Sequence, residues 1–228
     1  MTNPSLLRLM TLLSPTFPVG GFAYSAGLET ACQQGLVCDQ TQLADWIETS
    51  LTRGSLRNDG ILLSAAAAAT GPSDEVETEG PPLEMINDLA LSLCGSATRY
   101  KEIITIGGSF IEAAAPWIET EDLNLPDPVA YPVAVGVVTA IACKDLSTKS
   151  ALAAYYQASV SQQLQAALRL MALGQQAAVA LQQRFESVIL ECAELASRSP
   201  LDALGTSALI MDVAAMQHST LNSRIFRS

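Results

Sequence analysis

One histidine, His218, and five cysteines, Cys32, Cys38, Cys94, Cys143 and Cys192, are the side chains of this sequence best suited to hold a transition metal or to attack a substrate. Zinc and nickel cages draw on His and Cys ligands at close, regular spacing. The chain has no Cys-x-x-Cys pair, no His-Glu-x-x-His helix and no Asp-rich calcium loop, so a preassembled metal cage of usual composition is not expected. Ser-His or Cys-His catalysis needs a base beside the nucleophile, and a single histidine with no Gly-x-Ser-x-Gly elbow makes that chemistry improbable. Gly20-Gly21 and Gly107-Gly108-Ser109 lack the Lys-Ser/Thr that completes a phosphate loop. No catalytic residue, cofactor site or metal ligand is therefore assigned. An odd number of unpaired cysteines also argues against a disulfide framework.

Two other segments are unusual. Ser14 to Glu29 crowds rigid prolines (Pro15, Pro18), permissive glycines (Gly20, Gly21, Gly27) and aromatics (Phe17, Phe22, Tyr24) into one run around Ser25. Proline fixes φ and glycine opens conformations closed to other residues, so the run predicts a specified turn entering a helix. At the far end, Asn222 to Ser228 places Arg224, Ile225, Phe226 and Arg227 in a stretch too short to form a core. It predicts a docking tail in which Ile225 and Phe226 anchor in a pocket while the arginines make charge-assisted contacts at its edge.

These segments need a scaffold. The chain has 228 residues, 49% of them hydrophobic and only 15% charged, with a mean hydropathy of +0.28. So apolar a surface predicts burial in an assembly. The longest uncharged apolar run, Pro128 to Cys143, is shorter than the roughly 20 residues that cross a bilayer, and no secretory signal pattern is present, so the expectation is a cytoplasmic protein without a membrane span. Net charge is −11, which opposes nucleic-acid binding and suits a basic partner surface.

Apolar spacing near 3.6 dominates and predicts an all-α, single-domain bundle of about eight to ten helices spanning 1–228. Helices are expected at Pro4 to Leu13, Phe22 to Gln34, Asp39 to Leu51 with a capping box at Asp39 and Gln42, and a weak one at Ile61 to Ala69. A mobile acidic loop near 71–82 follows. A broken hairpin through Leu83 to Pro116 comes next, then a buried central helix at Val133 to Ala142, helices from Ser147 to Leu173 and from Gln175 to Ala196, and a last one after Ser199-Pro200 that leads into a partner-docking tail near 217–228.

The run from Pro15 to Glu29 and the segment Met216-Gln217-His218-Ser219-Thr220-Leu221-Asn222-Ser223-Arg224-Ile225-Phe226-Arg227-Ser228 resemble, in order, the two signatures of the urease accessory protein UreF family. Tyr131-Pro132-Val133 and Ala166-Ala167-Leu168-Arg169-Leu170 with Leu173-Gly174-Gln175 are similar to its middle segments. The resemblance implies an all-α, homodimeric, non-catalytic nickel-insertion chaperone. It would join UreD (UreH) and the GTPase UreG on apo-urease, regulate the GTPase cycle, and bind no cofactor stably while Ni²⁺ transits the complex. By motif match Glu29, Lys144 and Asp145 are candidates for the GTPase-facing surface, beside the tail residues Arg224, Ile225, Phe226 and Arg227. The structural signature is Pro15, Phe17, Pro18, Gly20, Gly21, Tyr24, Ser25 and Gly27. Ala26, Ala172, Ser219 and Asn222 depart from the family pattern, and the losses at Ala26 and Ser219 weaken any nickel site near the two ends. The alternative from another class is an all-α enzyme acting on a small apolar molecule, recognisable by a closed pocket of convergent acids.

Overall fold

Helix starts in this chain are written in short polar caps, and they set the architecture. A computed structural model describes residues 3–70, 80–118 and 124–228; most of the acidic segment expected near 71–82 lies outside them. Asn3 accepts the Ser5 amide and Pro4 occupies the first turn of α1 (Pro4–Leu12), as a residue without an N–H can. Asp39 caps α3 (Gln40–Arg53) by accepting the Gln42 amide, while the Gln42 side chain accepts from Cys38. Ser96 and Ser147 do the same for α6 (Ala97–Ala114) and α8 (Thr148–Leu170).

Between these lie α2 (Leu28–Gln33), α4 (Ser55–Thr70), α5 (Leu83–Ser92) and α7 (Tyr131–Ala142); α9 (Gln175–Arg184), α10 (Glu186–Ala196) and α11 (Leu209–Gln217) complete the chain. All regular structure among the described residues is helical. Four boundaries differ from the sequence expectation, one being the last helix, which begins at Leu209 while only a 3-10 turn, Leu201–Ala203, follows Pro200. The second helix starts at Leu28 rather than Phe22, because Ala26 and Gly27 take left-handed φ values of 51° and 82°, which no α-helix accommodates; Phe22 sits in a separate 3-10 turn, Gly21–Ala23. The alanine-rich helix begins at Ser55, directly after Gly54. The expected Gln175 to Ala196 helix is divided at Phe185, which is itself fully buried.

The uncharged helix α7 is central: Pro132 to Thr139 are all buried. It packs most extensively on α4 and then on α6, while α8 runs beside α4 and α10. The α4–α7 crossing is close because Gly136 faces the Leu63 carbonyl, with a Cβ there falling 2.9 Å from that of Ala66; only glycine fits. Thr139, the one polar side chain in the buried run, returns its hydroxyl to the Val135 carbonyl at 2.7 Å, so burying it leaves no orphaned group.

A chain of aromatics links this core to the N-terminal loop. Phe17 meets Phe110 of α6 edge-on at 5.5 Å, Phe110 meets Tyr131 at 5.6 Å, and Tyr131 meets Tyr155 of α8 at 5.7 Å. Edge contacts of this kind add to area burial. Phe17 thus fixes the crowded loop onto the bundle beside α8.

Candidate functional site

The two segments singled out by sequence meet each other. Residues 223–228 lie along the loop at 23–25: the Arg227 amide donates to the Ala23 carbonyl at 2.7 Å, and the Ser25 amide and hydroxyl both donate to the Ser228 carbonyl, at 2.8 and 2.6 Å. Ser25 also receives the Glu29 amide on its hydroxyl at 3.3 Å, so the same side chain ends the loop and opens α2.

Glu29 is the centre of this seat. It stands in the first turn of α2, where the helix dipole favours a carboxylate, and has 0% exposure. Its two oxygens accept the Ile225 amide at 2.6 Å, the Phe226 amide at 3.1 Å and His218 Nε2 at 2.9 Å. Nδ1 of His218 has no partner among the described residues, so the geometry assigns the donated proton to Nε2. Burial pushes the Glu29 carboxyl up, but the bonds from Ile225, His218 and Phe226 outweigh it and leave its pKa below the ordinary value of 4.5. Carboxylates that accept several N–H bonds behave this way. The expectation that Glu29 faces a GTPase is therefore corrected: the carboxylate is enclosed and spent within its own chain.

Phe226 is corrected in the same way. It is 5% exposed, packed into this chain's core, with the Arg169 guanidinium 4.3 Å above its ring. That cation–π contact holds Arg169, which also donates to the Phe22 carbonyl at 3.3 Å. By contrast Ile225 is 56% exposed, and Arg224 and Arg227 are exposed as expected. Phe22, at 76%, projects nearby from the 3-10 turn. Of the loop signature, Phe17, Tyr24, Ser25 and Gly27 are buried, Pro15 and Pro18 exposed, and Gly20 and Gly21 intermediate. Lys144 and Asp145 are exposed at the end of α7. Asp145 accepts from Ser5 at the start of α1, and no described hydrogen bond or ion pair joins the two to the seat.

The seat extends into a charged cluster that sequence reasoning missed. Ser228 donates its hydroxyl to Glu102 at 2.8 Å; Arg99 bridges Glu102 at 2.9 Å and Asp59 at 2.7 Å; and Tyr155 donates to the same Asp59 oxygen at 3.0 Å. Burial, with Asp59 beside it, holds the Tyr155 phenol well above its ordinary pKa, so it remains a donor. The available signal was Asp59 itself, an acid at the head of the apolar run of α4, and the i, i+3 spacing of Arg99 and Glu102.

These acids border a recess of about 80 Å³ between α4, α6 and α11 that also reaches Asp212 and Cys94. Asp59 and Glu102 are committed to Arg99, Tyr155 and Ser228. Among the described residues no group of three His, Cys, Asp or Glu side chains is placed to hold a metal ion. Burial, with Cys38 and Glu29 nearby, pushes the Cys32 thiol up to about 11, far from the thiolate form a nucleophile or ligand needs.

Ala26 is the strained residue of the seat, the only described non-glycine with positive φ. Left-handed backbone costs an L-residue about 1 to 2 kcal/mol, part of which glycine's larger unfolded-state entropy takes back. Ala26→Gly is expected to raise stability by about 0.5 to 1 kcal/mol, read as a higher urea midpoint.

A family model described as UreF matches residues 37–186. The chain is 43% identical over 224 residues to a protein of Agrobacterium fabrum and 44% identical over 227 residues to one of Mesorhizobium japonicum. A third, from Allorhizobium ampelinum, is 40% identical over 230 residues. Each alignment covers 98% of this chain and 96% of the relative, and each relative is named urease accessory protein UreF. The family match stops short of both halves of the seat.

Proposed function

Because the chain belongs to the UreF family of urease accessory proteins, we propose that it serves urease maturation as a non-catalytic adaptor. It places UreD (UreH) and the GTPase UreG on apo-urease, and nickel reaches the enzyme through that complex. Nickel here is cargo. The enzyme alternative is set aside by the family.

The observation that carries this reading is the interlock of the two signatures. Their buried members, Glu29, Ser25, Phe226 and Ser228, fasten the segment, and its exposed members, Arg224, Ile225 and Arg227, form an edge with no described ion pair. A basic, apolar-tipped edge on a chain of net charge −11 is the kind of surface that interface anchors occupy. Exposed apolar side chains elsewhere, such as Leu209, Ile210 and Val213 on α11, favour further burial against a second copy or another accessory protein. Among the described residues no helix is long and apolar enough to cross a membrane.

The test is co-purification with UreD, UreG and urease from cells expressing all of them, with urease activation scored alongside. Arg224→Glu, Ile225→Ala and Arg227→Glu together are expected to lower recovery of the complex at least about tenfold, equivalent to roughly 1.4 kcal/mol, with helix content and melting temperature retained. Undiminished recovery and activation would remove this edge from the mechanism.

A further inference from the structure

A cavity of about 480 Å³ opens beside the seat, within the size range of pockets that accept a ligand or an anchoring side chain. Its walls are Leu13 at the end of α1, Phe17 and Phe22 of the loop, Tyr131 of α7 and Phe226. They are largely apolar, Gln162, Gln165 and Gln175 add a polar side, and Leu13, Phe17, Tyr131 and Phe226 are held by the core, so most of the cavity is preformed. Arg169 stands among its lining residues. The guanidinium is oriented by stacking on Phe226 and by its bond to the Phe22 carbonyl, and no carboxylate of the described residues lies within ion-pair distance of it. Arg169 also borders the neighbouring recess that contains Arg224, so it stands between the cavity and a second cation.

An arginine held in place before binding loses little freedom when it captures a carboxylate, and an apolar pocket beside it supplies the anchor. We infer that this cavity receives a segment of a partner protein that presents one large apolar side chain next to an acidic residue, the side chain entering the cavity and the carboxylate meeting Arg169. A second copy meeting this face about a two-fold axis would set Arg169 and Arg224 against their own counterparts, whereas a short acidic segment is drawn to these two cations. The inference deepens the adaptor reading and rests on it.

Two variants test it in the co-purification assay, each scored for UreD, UreG and urease separately. Arg169→Glu reverses the charge beside the cavity. Gln165→Trp, at an exposed position of α8 that lines the same cavity, crowds its mouth without touching the seat of Phe226. Both are expected to cut recovery of one accessory protein at least about tenfold while leaving the others, and Gln165→Trp is expected to keep the wild-type melting temperature. Recovery with the wild-type chain should fall as salt is raised, and Arg169→Glu should lose that dependence. Wild-type recovery with both variants unchanged would overturn this inference and leave the adaptor reading standing; no recovery even with the wild-type chain would sink both. Loss of self-association with accessory proteins retained would identify a second copy as occupant and also overturn it.

Discussion

Glu29→Ala is expected to unfasten the 223–228 segment and to destabilise the whole protein. The variant strands the Ile225 and Phe226 amides and His218 Nε2, the last two in a buried site, and at about 1 to 3 kcal/mol for each buried donor left unsatisfied the three together cost about 3 to 5 kcal/mol. In a chain of this size that corresponds to a melting temperature lower by roughly 10 °C. Hydrogen exchange at residues 223–228 should rise in the same variant. Because the carboxylate is internal, recovery of every accessory protein that touches the tail edge should fall together, rather than the GTPase alone. The pH dependence has a definite sign. Glu29 has a lowered pKa in the folded state, so its contribution is present above the ordinary value of 4.5 and disappears as pH falls through the lowered one. The stability gap between wild type and Glu29→Gln should therefore close as the solution is acidified below 4.5. A gap that persisted unchanged in acid would show that the carboxylate's charge is not what fastens the tail.

Arg99→Ala should have an effect of similar size. Its side chain is 22% exposed and compensates Asp59 and Glu102, which are 9% and 6% exposed. Left unpaired, these acids cost about 3 to 5 kcal/mol, measurable as a fall in the urea midpoint. Neutralising them as Asp59→Asn and Glu102→Gln in the Arg99→Ala background should return part of that loss, since the penalty is uncompensated charge rather than lost packing. Full loss in the triple variant would mean that Arg99 acts mainly by filling space.

Much of the bundle was legible in local sequence. Val133 to Ala142 carries no charge and reads as buried on every side, and α7 is the central helix. Asp39 with Gln42 gives the start of α3, and Ser147 gives that of α8. These signals are local because caps and apolar stripes act within a few residues. The misplaced start of α2 has a cause that residue types conceal: Ala26 is a good helix former that takes a φ of 51° beside Ser25, whose amide and hydroxyl are bonded to Ser228 about two hundred positions away.

The site was legible in outline and not in polarity. Both signature segments were found, but Glu29 in a first helical turn reads as solvated, and Phe226 reads as an anchor for another protein. Which side of the chain each faces depends on pairings such as Glu29 with Phe226, 197 residues apart, that no periodicity records. Arg169, quoted in the sequence as part of a helix end, gains its importance only from the ring beneath it.

The pairing of Ser25 with Ser228 has a bearing on synthesis. A ribosome that has reached residue 222 has already released the crowded loop and α2, yet none of the amides that satisfy Glu29, nor the hydroxyl that meets Glu102, has been made. Until residues 223–228 have left the ribosome the nascent chain carries an unquenched carboxylate in an otherwise greasy neighbourhood, and the edge proposed to recruit partners exists only once they have. Release of these late residues thus serves as the licence for assembly.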